Sequence, residues 1–155
     1  MEYINGSELV NKRFIRLKNG DLREAPKGKF IPKAGEEYWY LDAISGGCKR
    51  GCIEYGCVNN WIAKHNLVFR TKEECMDYRD FLDELDNFTF EPNWDDESQA
   101  KWLPLFDHRD HRIGFATQYS LQYHSPCFES YEKAMAFVDA VGKEAIERYM
   151  FNHWR

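Results

Sequence analysis

The stretch Phe69-Arg70-Thr71-Lys72-Glu73-Glu74-Cys75-Met76 recurs as Phe128-Glu129-Ser130-Tyr131-Glu132-Lys133-Ala134-Met135, at an offset of 128 − 69 = 59 positions. Phe, Glu and Met are identical in the two copies, and the hydroxyl residue is Thr in one and Ser in the other. Such residues favour helix N-caps, because their oxygen accepts an unpaired backbone N–H of the first turn. Each copy therefore predicts a strand end, an N-cap and an amphipathic helix. A repeat of this kind predicts two related units.

The rest of the chain fits around these two helix starts. Strands are predicted at Glu37–Asp42, Ile53–Val58, Leu67–Phe69, Trp102–Phe106, Ile113–Thr117 and Tyr119–Tyr123, and helices at Thr71–Asp86, Ser130–Val141 and Lys143–Phe151. Asn19-Gly20 indicates a hairpin near the N-terminus, because both residues tolerate positive φ. We expect one α+β domain over 1–155, with an antiparallel sheet built from two related strand–turn–strand–helix units, an N-terminal hairpin and a C-terminal helix. The units span about 35–86 and 100–151, and the acidic connector spans 87–99.

The composition is that of an ordinary globular protein, with 155 residues, 43% hydrophobic and 30% charged. The net charge of −5 argues against direct nucleic-acid binding. No apolar run is long enough to cross a bilayer, and Met1–Val10 lacks a secretory signal pattern. We therefore expect a cytoplasmic protein whose five cysteines are reduced thiols.

One candidate site is a cysteine cluster. Zinc prefers thiolate and imidazole ligands in tetrahedral geometry. The candidate metal ligands are Cys48, Cys52, Cys57 and His65. Their spacing lacks the tight pairs of structural zinc sites, and small apolar positions on strands explain the cysteines equally, so no cofactor is expected.

A second cluster is the run from Asp107 to Arg112, which carries two histidines and two aspartates. Such groups bind divalent metals or transfer protons. The repeat, however, places the run at a hairpin turn, where aspartate and charge are common.

The acidic connector carries carboxylates with aromatic residues between them. Carboxylates along an exposed segment can meet a basic groove built for nucleic-acid phosphates, and aromatic residues supply binding hot spots. The candidate protein-binding residues are Glu91, Trp94, Asp95, Asp96 and Glu97. The alternative is a solvated linker whose aromatic residues pin it to the core.

A small-ligand site is the alternative to a protein-binding surface. Tyrosines can stack on a base, and arginine can hold a phosphate. A cleft generated by the repeat would be lined by Tyr38, Tyr40, Tyr119 and Tyr123 with Arg109 and Arg112. The ligand would be a nucleotide signal.

The second half also carries the segments Phe88–Asp96, Gln99-x-Lys101-Trp102, Phe128-x-Ser130-x-Glu132-x-Ala134 and Val141–Phe151. In these it resembles a widespread group of small proteins encoded by bacteriophages and prophages. The resemblance covers Glu37–Phe151 loosely and Asn87–Phe151 better, and the cysteine-bearing insertion departs from it. Its motifs are caps and core positions, so no catalytic residue is carried over. The resemblance implies the cytoplasm of an infected bacterium and a role against host defence.

The sequence contains no Gly-rich phosphate loop, no Gly-x-Ser-x-Gly, no His-Glu-x-x-His and no Cys-x-x-Cys motif. The leading hypothesis is therefore a non-catalytic inhibitor that binds a host bacterial protein, such as a CRISPR nuclease. The small-ligand binder and the zinc protein remain the alternatives.

Overall fold

The computed structural model describes residues 14–16, 22–24, 28–53, 67–119 and 125–153. The strands in these residues are β1 (Phe14–Arg16), β2 (Leu22–Glu24), β3 (Glu37–Leu41), β4 (Cys48–Cys52), β5 (Val68–Phe69), β6 (Thr89–Phe90), β7 (Lys101–Asp107), β8 (Arg112–Gln118) and β9 (Cys127–Phe128). The helices are α1 (Lys72–Phe88), α2 (Tyr131–Val141) and α3 (Lys143–Tyr149). None of the helices in the described residues is long and apolar enough to cross a membrane.

The strands form three antiparallel sheets, so the α+β class predicted from the sequence is confirmed. β1 and β2 make the N-terminal hairpin, whose turn lies outside the described residues. The second sheet has the order β4-β3-β5, and the third has the order β6-β9-β7-β8. The two larger sheets are separate, a point that the sequence left open.

The two larger sheets follow the same strand order. In the first unit (β3, β4, β5 and α1), β3 lies between the other two strands; in the second unit (β7, β8, β9 and α2), β7 does so. Trp39 on β3 pairs with Phe69, and Trp102 on β7 pairs with Phe128. Trp102 follows Trp39 by 102 − 39 = 63 positions, whereas Phe128 follows Phe69 by only 128 − 69 = 59. The two paired residues are therefore four positions further apart in the first unit than in the second.

The helix starts have the N-caps that the sequence predicts. Thr71 Oγ1 accepts from the backbone N–H of Glu74 at 3.2 Å, and Ser130 Oγ accepts from Lys133 at 3.1 Å. Glu74 Oε2 in turn accepts from the backbone N–H of Arg70 at 2.9 Å. These bonds satisfy backbone donors that the first turn of a helix leaves without intrahelical partners.

One hydrophobic core joins the two units. Phe81 of α1 lies edge-on to Phe137 of α2, with ring centroids 5.7 Å apart, and Phe137 lies 5.4 Å from Phe128. Ala134 and Ile146 complete the buried cluster. The apolar stripe that helical spacing predicts on α1 consists of Cys75, Tyr78, Leu82 and Leu85. It omits Phe81, although this residue is only 4% exposed.

The cysteine segment differs from the sequence-based prediction. Cys48–Cys52 was expected to be a loop before a strand at Ile53–Val58, but it forms β4 and pairs along its whole length with β3. Ile53 follows that strand, and 54–58 lie outside the described residues. The predicted strand Tyr119–Tyr123 begins instead with a bend at Tyr119, and its other residues are also outside the described part.

Candidate protein-binding site

Lys101, the first residue of β7, lies just after the connector, and its side chain is fully buried. Its Nζ donates to the backbone carbonyls of Asp96 at 2.9 Å, Gln99 at 3.0 Å and Tyr119 at 2.8 Å. An ammonium group has three donors, so every one of them is used. Lys101 therefore ties two turns of the connector to the end of β8.

The connector is also bonded to itself. The backbone N–H of Asn93 donates to Gln99 Oε1 at 2.8 Å, and that of Asp95 donates to Asn93 Oδ1 at 3.1 Å. Asp96 Oδ1 accepts from the Ser98 hydroxyl at 2.6 Å and from the Ser98 backbone N–H at 2.9 Å. Both bonds lower the pKa of Asp96, and the bond from the Ser98 hydroxyl has the larger effect. Asp96, predicted to bind a partner, thus holds the turn together.

The aromatic part of the connector lies against the protein. Pro92 is buried and Trp94 is half-buried. The Trp94 ring centroid lies 5.5 Å from Lys101 Nζ, within the range of a cation–π contact. The linker alternative predicts that aromatic residues pin the segment to the core. Trp94 makes a contact of this kind with the side chain of Lys101.

Three carboxylates of the connector point to solvent. Glu91, Asp95 and Glu97 are exposed, and none of them has an ion-pair partner among the described residues. They are fixed to a segment whose turns are bonded by Lys101 and Asp96. The connector is therefore an ordered acidic surface rather than a freely solvated linker.

A cleft of about 550 Å³ opens beside this surface. Its lining residues come from three segments and are Leu85, Asp86, Thr89, Phe90, Glu91, Pro92, Trp94, Ser125, Pro126 and Cys127. The pairing of Phe90 with Cys127 brings the connector to β9 and forms the cleft. Sequence reasoning found Glu91 and Trp94 but missed Asp86 and Cys127, because nothing in their local pattern signals a pairing across almost forty positions.

The described residues of the nucleotide-binding alternative come from both units. Tyr38 is fully buried in the first unit, with Tyr40 half-buried 6.0 Å away. Arg112 begins β8 and Tyr119 follows its end, so the strand holds them about 20 Å apart. Arg109 lies in the turn before Arg112, and Tyr123 is outside the described residues. Of the described pairs, Arg112 and Tyr119 thus lie at opposite ends of β8.

The cysteine cluster is spread in the same way. Cys48 and Cys52 are the two ends of β4, so about 13 Å separates their Cα atoms, whereas a shared zinc ion lies about 2.3 Å from each sulfur. Cys57 and His65 lie outside the described residues. Burial is the main cause that raises the pKa of the Cys75 thiol, and a hydrogen bond with Cys48 raises it further. Because Cys75 lies on α1, Cys48 must face that helix. No group of His, Cys, Asp and Glu in the described part has the geometry to hold a metal ion.

The run from Asp107 to Arg112 forms the predicted turn, and the C-terminal segment packs against it. The His153 ring stacks on His111 with centroids 5.5 Å apart and lies 5.9 Å from His108. His153 Nδ1 is 3.6 Å from Glu147 Oε2, which is buried on α3. His111 Nδ1 is buried and has no hydrogen-bond partner among the described residues. This histidine cluster attaches the chain end to the β7–β8 hairpin, a contact that spacing alone does not indicate.

Comparisons of the sequence with protein-family models, with curated proteins and with solved structures found no match.

Proposed function

We propose that the protein is a non-catalytic inhibitor that binds a bacterial defence protein through its acidic connector. The observation that carries the proposal is the fully buried Lys101, which holds the connector in place while Glu91, Asp95 and Glu97 stay exposed. A surface that is ordered before binding loses less conformational entropy when a partner docks. This arrangement supports binding rather than mere linkage between the two units.

The charge of the surface indicates the kind of partner. Fixed carboxylates complement a basic groove, and such grooves bind the phosphates of nucleic acids. A CRISPR nuclease in the cytoplasm of an infected bacterium presents such a groove. The inhibitor would occupy it in place of nucleic acid, and raised salt would weaken the complex because exposed charges are screened.

The test is a cleavage assay with a panel of purified CRISPR nucleases, each loaded with guide RNA and given target DNA. We expect the protein to inhibit at least one of them, and the charge-neutral variant Glu91→Gln/Asp95→Asn/Glu97→Gln to lose that inhibition.

The matched control is Glu132→Gln/Asp139→Asn/Glu144→Gln, which removes three exposed carboxylates from α2 and α3. Inhibition should survive in this control. Equal inhibition by the connector variant and the original protein, or no inhibition of any nuclease, would overturn the proposal.

A further inference from the structure

The cleft beside the connector has a mainly polar accessible surface, and its lining residues include two carboxylates and several apolar side chains. Phe90, Pro92, Trp94 and Pro126 line it, and Leu85 of α1 adds an aliphatic surface. Its volume of about 550 Å³ is in the range of clefts that bind small groups. A flat or aliphatic part of a ligand can therefore contact these side chains while its charge meets the carboxylates.

Asp86 and Glu91 are the two carboxylates of the cleft. Both residues are exposed, and neither has an ion-pair partner among the described residues. Cys127, which also lines the cleft, is only 2% exposed. Burial is the main cause that raises the pKa of the Cys127 thiol, and the negative charge of Glu91 raises it further. The field of Glu91 therefore reaches the cleft lining.

Helix α1 adds to this negative potential. The C-terminus of a helix carries partial negative charge and is normally stabilised by basic residues in the last turn. The last turn of α1 has no basic residue, and Asp86 lies close to its end. Asp86, Glu91 and the end of α1 therefore all contribute negative potential to the cleft. The positive charge of Lys101 also reaches Cys127, where it lowers the pKa of the thiol, but its three donors are already bonded to backbone carbonyls.

We propose that this cleft binds an arginine side chain of a basic protein partner. Guanidinium is planar, stacks on aromatic rings and presents a fork of donors to carboxylates, whereas the ammonium of lysine is a strongly hydrated point charge. Trp94 and Phe90 supply the rings, and Asp86 and Glu91 supply the acceptors. This inference rests on the proposed function, because it names the group by which the partner is recognised.

The experiment is an NMR titration of the isotope-labelled protein with the peptide acetyl-Gly-Arg-Gly-amide. We expect shifts at the Trp94 indole N–H and the Cys127 amide. The same peptide with citrulline, which keeps the shape but has no charge, should leave both signals in place. Shifts of equal size with citrulline would overturn the proposal.

The cleft variant Asp86→Asn/Glu91→Gln should weaken arginine-peptide binding about tenfold, which corresponds to the loss of two exposed ion pairs of ordinary strength. Its Tm should not fall, because Asp86→Asn removes negative charge from the end of α1. The control Asp139→Asn/Glu144→Gln changes exposed residues that do not line the cleft. Equal weakening in this control would show a non-specific charge effect and overturn the proposal.

The outcomes separate this inference from the proposed function. If the peptide does not bind but the connector variant still loses nuclease inhibition, the arginine site is wrong and the inhibitor stands. If the peptide binds and the connector variant inhibits fully, the arginine site stands and the proposed inhibitor surface is wrong.

Discussion

Tyr38 in the first unit and Lys101 in the second occupy corresponding places on their central strands. Each precedes the tryptophan that pairs with the phenylalanine of the third strand, and each side chain is fully buried. In the first unit this place is filled by an aromatic ring that packs over Gly51. In the second unit it holds an ammonium group bonded to three backbone carbonyls.

The difference shows how one strand order can serve two purposes. Tyr38 packs within the first unit, where its ring lies against the neighbouring strand. Lys101 stabilises its unit by holding the connector, which carries exposed carboxylates and borders the cleft. The second unit therefore combines a scaffold with a presented surface, and substitutions at matched places should separate the two roles.

The largest effect is expected at Lys101. Lys101→Met keeps the length of the side chain but leaves three carbonyl groups without their donor, and should lower the free energy of unfolding by about 2–4 kcal/mol. Urea denaturation measures this. Lys133→Met, which changes an exposed lysine of α2, should change stability by less than about 0.5 kcal/mol. Similar losses in both variants would contradict the role assigned to Lys101.

Glycines on the second strand of each unit give the next contrast. A Cβ at Gly51 would lie 2.5 Å from the Tyr38 ring, whereas a Cβ at Gly114 meets nothing within 4 Å. Gly51→Ala should therefore destabilise the protein by about 1–3 kcal/mol through overpacking. Gly114→Ala should stay within about 0.5 kcal/mol of the original protein. Thermal unfolding of the two variants checks this, and a tolerated Gly51→Ala would place the Tyr38 ring elsewhere.

The helix caps should behave alike in the two units. Thr71→Ala and Ser130→Ala each remove an acceptor from an N-terminal backbone N–H, and each should cost about 1 kcal/mol. Chemical denaturation of the single variants measures both losses. A loss at one cap only would break the correspondence between the two helix starts.

The smallest effect concerns the turn between β3 and β4. Asp42 accepts hydrogen bonds from Lys49 and Ser45, and these lower its pKa to about 2, with the bond from Lys49 having the larger effect. Because the folded pKa is lowered, this stabilisation is complete above the unfolded value of about 3.9 and is lost as pH falls through about 2.

The original protein should thus exceed Asp42→Asn in stability at neutral pH, and the gap should close between about pH 4 and pH 2. Denaturation of both proteins across this range checks it. A gap that does not change with pH would contradict the bonding of the Asp42 carboxylate.

Local patterns predicted the helices and most strands well. Thr71, Ser130 and Gly142 mark helix ends by chemistry that acts within a few residues, and the structure has helix boundaries at each. Cys48–Cys52 was misassigned because the strand formers after it give a stronger local signal, whereas pairing with β3 decides the strand. Contacts between distant segments, such as Phe90 with Cys127, depend on tertiary pairing that periodicity does not carry.

The site was predictable in part for the same reason. Glu91, Asp95 and Glu97 are exposed on the connector as the charge pattern indicates. The burial of Lys101 was not predicted, because a lysine at the start of a strand is usually solvated. Its burial depends on carbonyls of the connector and of Tyr119, which lie in distant parts of the chain. Asp96 was assigned to binding because its carboxylate cannot be distinguished by sequence from its neighbours.

The most direct test of the account is the backbone order of the connector, measured by the heteronuclear NOE at residues 93–99. The account predicts values equal to those of α1 in the original protein and a clear decrease in Lys101→Met, with α1 unchanged. Low values in the original protein, or values that Lys101→Met leaves unchanged, would contradict the claim that Lys101 holds an ordered acidic surface ready for a partner.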